Sequence, residues 1–295
     1  MVFGQFSWPC ALKTATLHGP VKERLQSIEE KNEALKTFLT QKKPWVQEYQ
    51  ERFEMAWVYH DNALEGVVYT PQELMAALRP GAIAAEASLV PIVLEIRNHK
   101  ACLEYVREEA KNAPKRSAAI TMTQTKRIHD LLSGNNPEAQ AARLAAERRE
   151  RTEKELAKEK EKAGYRKDMP LHRTYFHEIS QPAKIPAALE KLIDFTASAE
   201  FRELHPILQA ARVQHGLIQI FPFTEHSGRV GRMLSNLILL RNGLHPAVVH
   251  SNDRQKYYES FRGPVGAFAN LLMDAMTNSL DNGLKYFRDA SRPYR

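Results

Sequence analysis

Apolar residues recur at the three- to four-residue spacing of a helix along most of the chain. Within residues 21–50 they stand at Leu25, Ile28 and Leu35 among mixed charges, which predicts an amphipathic helix or a pair of helices. The same spacing predicts an all-α fold with further helical stretches over 45–59, 91–109, 123–132, 186–195, 205–220, 229–240, 253–261 and 265–287.

Helix ends are marked by particular residues. Thr70 is followed by Pro71 and, three positions on, by Glu73, which is typical of a capped helix start. Gly134 predicts the end of one helix, and Asn242-Gly243 predicts the end of another.

Two segments depart from this pattern. Residues 137–163 carry many charges and few large apolar side chains, which predicts a long, exposed helical insert. Residues 170–182 lose the helical period, and Tyr175, Phe176 and Ile179 stand among polar neighbours, which predicts a short hairpin.

Composition narrows the class of protein. The 295 residues are 43% hydrophobic and 26% charged, an ordinary globular balance. The net charge of +7 is not gathered in a stripe with interleaved aromatic residues, so no nucleic-acid partner is expected. No apolar run is long enough for a membrane span, and the first residues do not resemble a signal peptide. With only Cys10 and Cys102, far apart, we expect a cytoplasmic protein without a disulfide framework.

The candidate chemistry lies in FPFTEHSGRVGR, residues 221–232, between two strongly apolar helical stretches. A helix that begins near Gly228 presents free main-chain N–H groups and a partial positive charge, which attract anions. Ser227 and Gly228 are therefore candidate phosphate-binding residues at this helix start. Arg229 and Arg232 are three residues apart and project from one side of the first turn. Together they can bind neighbouring phosphate groups.

Glu225, just before this turn, is a candidate ligand for a divalent metal that bridges phosphate oxygens. The alternative is an ordinary helix start, capped by Ser227, in which the two arginines pair with nearby acidic residues.

The stretch resembles the Fic motif, H-P-F-x-D/E-G-N-G-R-x-x-R, and the resemblance extends over roughly residues 50–290. It implies a Fic-type helical bundle over residues 51–295, preceded by a helical extension at 1–50. It also implies ATP or a related nucleotide as ligand, admits Mg²⁺, and implies transfer of AMP to a hydroxyl group of a protein target. The matching residues are Pro222, Phe223, Glu225, Gly228, Arg229 and Arg232.

Three motif positions differ from the family pattern. Phe221 stands where the family has its catalytic histidine, and phenylalanine has no proton-accepting atom. General-base help is worth about 10²–10⁴-fold in rate, so its loss at position 221 leaves ordinary Fic catalysis without an assigned catalytic residue. His226 and Ser227 replace a glycine and an asparagine, and His226 is a candidate substitute base.

A second stretch, YHDNALEG at residues 59–66, resembles the inhibitory helix motif S/T-x-x-x-E-G/N of many Fic proteins. The inhibitory-type helix would span 56–66, with Asp61 in place of the Ser or Thr. Carried over, Glu65 would pair with Arg232 and take the place of a phosphate group.

Two further sites follow from the resemblance. Residues 172–181 fall where the family has the flap that docks a target chain, and the charged insert is a second candidate surface for a protein partner. Tyr258 matches the aromatic residue that flanks the nucleotide base, but the polar residue expected seven positions later is Val265.

Three functions stay open from the sequence. The first is a pseudoenzyme or regulatory protein that binds a nucleotide under autoinhibition. The second is an active nucleotidyltransferase with altered chemistry. The third is a non-enzymatic protein-interaction module with an empty site.

Overall fold

The computed structural model describes residues 19–78, 90–113, 119–134, 164–170 and 178–292. Its α-helices are α1 (Pro20–Leu39), α2 (Pro44–Leu64), α3 (Pro71–Leu78), α4 (Val90–Asn112), α5 (Met122–Leu132), α6 (Ile185–Thr196), α7 (Ala199–Arg202), α8 (Pro206–Ile220), α9 (Ser227–Arg241), α10 (Arg254–Ser260) and α11 (Val265–Ala290). Single 3₁₀ turns lie at Pro182–Lys184 and Ser251–Asp253. The described residues contain no strand, which confirms the predicted all-α class.

The predicted helices are found close to their expected bounds. Residues 21–50 divide between α1 and α2, and Pro44 occupies the first turn of α2. Because α2 continues to Leu64, the boundary expected at residue 50 falls inside a helix. The division into an extension and a Fic-like domain therefore stays a prediction about organisation.

The predicted helix ends are confirmed. The Thr70 N–H donates to Glu73 Oε2 at 2.7 Å, and the Glu73 N–H donates to Thr70 Oγ1 at 3.2 Å, so the two residues cap α3 reciprocally. Gly134 and Gly243 follow α5 and α9 with φ angles of 72° and 70°, a left-handed conformation that glycine adopts without strain.

Helices α8 and α9 form the centre of the molecule and pack against each other along their lengths. Nearly all their residues are buried, because α4 and α5 cover α9 while α6 and α11 cover α8. This burial explains why both helices carry apolar residues all around, interrupted by buried polar side chains that include Arg229 and Arg232. The turn that joins them is thereby held on a rigid base.

Helix α1 packs on α11 and joins the two ends of the described chain. Its apolar face contributes Leu25, Ile28 and Leu35 to the core. Lys31 Nζ lies 2.8 Å from Asp281 Oδ1 at the solvent edge of this contact. The N-terminal helix is therefore part of the same core as the rest of the protein.

The insert at 137–163 lies outside the described residues, as do positions 171–177 of the predicted flap at 170–182. Residues 178–181 are described and have no regular secondary structure, and the Ser180 N–H donates to Gln219 O on α8 at 3.0 Å. Among the described helices, none has both the length and the apolar character that a membrane span requires.

Candidate anion-binding site

The turn between α8 and α9 begins at Phe221. This residue ends α8 in the left-handed region, with φ 48° and ψ 64°, and its N–H donates to Leu217 O at 2.7 Å. Left-handed backbone is unusual for a bulky side chain, so surrounding contacts must hold the turn in place. The Phe221 side chain is buried.

Arg166 supplies those contacts. Its Nε donates to Phe221 O at 2.6 Å, and its Nη2 donates to Ile220 O at 3.3 Å and also to Ser180 O. Its main-chain N–H donates to Pro222 O at 2.9 Å. The buried guanidinium thus satisfies the carbonyl groups at the negative end of the α8 dipole. Nothing in the residues around position 166 indicates this role in the sequence.

Ser227 closes the turn from the other side. The Phe223 N–H donates to Ser227 Oγ at 2.9 Å, and Ser227 Oγ–H donates to Phe223 O at the same distance. The cap of α9 is His226, with φ 66° and no side-chain capping bond, so the interpretation of Ser227 as the helix cap is wrong. Ser227 is instead the first residue inside the helix, and its hydroxyl bonds the main chain of Phe223 in the turn.

His226 and Glu225 have opposite environments. The His226 side chain is mostly buried, and burial, followed by the nearby Arg229 and His129, lowers its pKa from 6.5 to about 3. The Glu225 side chain is exposed, with Oε2 4.0 Å from His226 Nε2. The imidazole is therefore neutral at pH 7.

Arg229 is buried in the first turn of α9 and faces α4. Its Nη1 donates to Glu95 Oε1 at 2.9 Å. Its Nε is also buried and has no hydrogen-bond acceptor among the residues that the structure describes. Arg229 thus pairs with α4 through Glu95 and keeps at least one buried N–H without an acceptor in the described part of the chain.

Arg232, one turn further on, is bound from three directions. Its Nε donates to Asp61 Oδ1, and its Nη2 donates to Asp61 O at 2.9 Å and to Glu65 Oε1 at 2.8 Å. Its Nη1 donates to Tyr257 OH at 3.0 Å. Four of its five N–H groups are therefore engaged within the protein.

Asp61 and His99 form a buried pair behind this arginine. Asn62 Nδ2 donates to His99 Nδ1 at 3.0 Å, which leaves the proton on Nε2, 3.2 Å from Asp61 Oδ2. Burial lowers the pKa of His99, so its ring is neutral. Burial alone would raise the pKa of Asp61, but Arg232 and then His99 outweigh it and hold that pKa below its ordinary value.

Glu65 follows α2 and lies over the start of α9. A Cβ atom at position 228 would overlap Glu65 Oε1 and would lie 3.1 Å from Glu65 Cδ. Gly228 therefore admits a carboxylate directly onto the first turn of α9. An anionic group of the protein lies at the position where the sequence predicts an external anion.

Tyr258 lies beside the end of α2. Its hydroxyl donates to Leu64 O at 2.8 Å, and the Arg254 guanidinium lies 5.0 Å from its ring centroid. Its neighbour Tyr257, which the sequence did not single out, reaches Arg232 and accepts a hydrogen bond from Gln214 at 3.1 Å.

The structure thus brings Glu65, Gly228, Arg229 and Arg232 together at the start of α9, whose first residue is Ser227. It places Phe221, Glu225 and His226 in the adjoining turn. Asp61, Glu95 and Arg166 join this group through contacts between distant parts of the chain, which a linear pattern does not reveal.

Comparison with known proteins relates this region to Fic proteins. Residues 120–239 match the model of the Fic/DOC family. The protein adenylyltransferase Fic of Nematostella vectensis is 26% identical over 238 residues, which cover 81% of this chain and 49% of that protein. The protein of the same name from Culex quinquefasciatus is 31% identical over 94 residues, 30% of this chain and 19% of that protein. The chain thus spans about half the length, or less, of these curated relatives.

Two solved structures share the fold. A Fic domain containing signaling protein from Bacteroides thetaiotaomicron superposes with a TM-score of 0.69 at 21% identity, over 92% of this chain and 100% of that one. Fic-1 from C. elegans gives a TM-score of 0.68 at 19% identity, over 92% and 73%. The family model covers the turn with both arginines, whereas the solved structures show the fold alone. Residues 120–239 of this chain therefore form a Fic/DOC-family domain.

Proposed function

We propose that this protein binds the phosphate groups of an ATP-like nucleotide at the start of α9 and acts as a regulatory binder or pseudoenzyme. The observation that carries the proposal is the Glu65 carboxylate, which lies against Gly228 and pairs with Arg232. A site that accepts a carboxylate on a helix N-terminus and a guanidinium has the chemistry to accept a phosphate oxygen in its place.

Arg229 adds a second argument. Its buried Nε–H has no acceptor among the described residues, and a buried donor without a partner costs about 1–3 kcal/mol. A phosphate oxygen that reached this N–H would supply that acceptor. Tyr258 stays a proposed neighbour of the nucleotide base. Its hydroxyl donates to Leu64 O, so the residue lies next to Glu65 and therefore close to the proposed phosphate site.

The lack of a general base with a suitable pKa favours nucleotide binding over transfer of a nucleotide group. Phe221 has no proton-accepting atom, and a histidine whose pKa is about 3 is far from the value that general-base catalysis at neutral pH requires. His226 is therefore a poor substitute for the family's histidine. Transfer with altered chemistry remains the second candidate, because the curated relatives are named protein adenylyltransferases, enzymes that act on protein targets.

Glu225 could bind an Mg²⁺ ion that accompanies a nucleotide. The described residues offer no cluster of three metal-binding side chains, but Mg²⁺ needs only one or two carboxylates when phosphate groups complete its shell. The exposed Glu225 carboxylate would hold the ion next to the turn. When bound, Mg²⁺ would neutralise part of the phosphate charge.

Calorimetry with nucleoside mono-, di- and triphosphates tests the proposal, in the parent and in Glu65→Gly, with and without Mg²⁺. Removal of the carboxylate frees one N–H of Arg232, and a hydrogen bond to a charged group is worth about 1.5–3 kcal/mol, so triphosphate affinity should rise by about tenfold or more. The monophosphate should gain less.

Glu30→Gln, which removes an exposed carboxylate on α1, is the control and should leave all affinities unchanged. If no nucleotide binds either the parent or Glu65→Gly, the proposed function is wrong. Equal gains for mono- and triphosphates would show that Glu65 acts only through general electrostatics.

A further inference from the structure

The two carboxylates that bind Arg232 differ in their number of contacts with it and in their exposure to solvent. Asp61 makes two contacts, through its side chain to Nε and through its main-chain carbonyl to Nη2, and its side chain is only 5% exposed. Glu65 follows the last turn of α2 and makes one contact with Nη2, and its side chain is 13% exposed. Asp61 is thus built into the helix packing, whereas Glu65 lies at the edge of the site.

We infer that Asp61 determines the specificity of this site by acting as a resident counter-ion of Arg232. The inference rests on the proposed function and names the class of anion that the site accepts. When Glu65 is displaced, Asp61 keeps the guanidinium in place and balances its positive charge. The incoming anion then gains the Nη2 N–H and the helix start that Glu65 used.

The charged side chains around the start of α9 determine which anions the site accepts. The site contains the guanidiniums of Arg229 and Arg232 and the carboxylates of Asp61, Glu65 and Glu95. Once Glu65 leaves, two positive charges face two negative ones, while the exposed Glu225 carboxylate is screened by water and salt. Such a neutral site disfavours a bare phosphate with several negative charges. The phosphate would lose water, and no excess positive charge in the site would compensate for that loss.

The favoured ligand is therefore a phosphate group whose negative charge is already partly neutralised, such as a magnesium-bound nucleotide. The neutral His99 strengthens this assignment, since its Nε2 faces Asp61 Oδ2 and adds no charge. Removal of the Asp61 charge should leave the site one unit positive and admit the bare anion.

Magnesium-free inorganic pyrophosphate is the probe, and Asp61→Asn in the Glu65→Gly background is the variant. Asparagine keeps an oxygen acceptor for Arg232 Nε while it removes the charge. Pyrophosphate should bind this double variant about tenfold or more tightly than Glu65→Gly alone, because the ligand then becomes the counter-ion of a buried guanidinium. An unchanged or weaker affinity would overturn the inference and leave Asp61 as a positioning residue only.

Asp274→Asn in the same background is the matched control. Asp274 pairs with Arg24 on the partly exposed contact between α1 and α11, so its loss removes an equal charge far from the turn and should not alter pyrophosphate binding. If Asp61→Asn is too unstable for calorimetry, the melting temperature replaces it as the readout. Pyrophosphate should then raise the melting temperature of the double variant more than that of Glu65→Gly, and equal rises would contradict the inference.

The outcomes separate this inference from the proposed function. If Glu65→Gly binds nucleotides but Asp61→Asn gives no gain for pyrophosphate, only the role of Asp61 fails. If pyrophosphate shows the expected gain but no nucleotide binds, only the nucleotide proposal fails.

Discussion

The Glu65 carboxylate and Gly228 share one space: any side chain at position 228 would overlap Glu65 Oε1, and its Cβ atom would also lie 3.2 Å from Arg232 Nη1. The clash involves the far end of a flexible side chain, so a Cβ atom would expel the carboxylate and leave the helix intact. A change at Gly228 thus acts on the site through Glu65.

Gly228→Ala should destabilise the parent by about 1.5–3 kcal/mol, the value of a hydrogen bond to a charged group, because it breaks the Glu65–Arg232 contact. In the Glu65→Gly background the same change should cost far less, since nothing is left to expel. Denaturant unfolding of the four proteins in a double-mutant cycle measures this coupling. Additive effects would show that alanine strains the backbone at position 228 directly.

Arg232→Ala should destabilise the protein by about 3–5 kcal/mol, because it leaves the Asp61 carboxylate buried without its counter-ion. Asp61→Asn should recover part of that loss in the double variant. Arg24→Ala, which breaks a surface pair, is the control and should cost about 0–1 kcal/mol. If Arg232→Ala costs as little as the control, the Asp61–Arg232 pair does not stabilise the fold.

Stability should depend on pH through His226, whose pKa is lowered from 6.5 in the unfolded chain to about 3 in the folded protein. Between these values the unfolded state binds the additional proton, so the free energy of unfolding falls as the pH falls from about 6.5 towards 3. His226→Asn, chosen because asparagine tolerates φ 66°, should reduce this slope by up to about 1.4 kcal/mol per pH unit. Denaturant unfolding between pH 4 and 8 measures the slope. The same slope in parent and variant would show that His226 is protonated in the folded protein.

Phe221→His combined with Glu65→Gly should allow self-labelling by radiolabelled ATP, because it returns a base to the family position and removes the competing carboxylate. Arg166 holds the turn through main-chain carbonyls, so the exchange alters the side chain without removing these contacts. Phe221→Gln with Glu65→Gly is the control and should not label. Labelling of the parent would contradict the pseudoenzyme proposal, whereas an unlabelled double variant would indicate that His226 or Ser227 disturbs the phosphate site.

The helical fold was predictable because α8 and α9 repeat apolar residues at helical spacing and end at glycine or proline. The Glu65–Arg232 contact joins residues 167 positions apart, and only the family resemblance pointed to it. The roles of Asp61, Glu95 and Arg166 were not predictable, because each depends on helix packing that places one polar side chain against a distant partner. An acidic residue on α2 looks the same in the sequence whether it faces solvent or a buried arginine.

The position of Glu65 in the chain has a consequence for synthesis. Asp61 and Glu65 are translated before Arg232, from which Asp61 is separated by 171 positions, so α2 leaves the ribosome well before the helix that it will contact. At about 5–20 residues per second the delay is roughly 10–30 s. By the time α9 folds against α4, both carboxylates that bind Arg232 have already been synthesised. The Glu65–Arg232 contact can therefore form as soon as α9 reaches its place, without waiting for any later part of the chain.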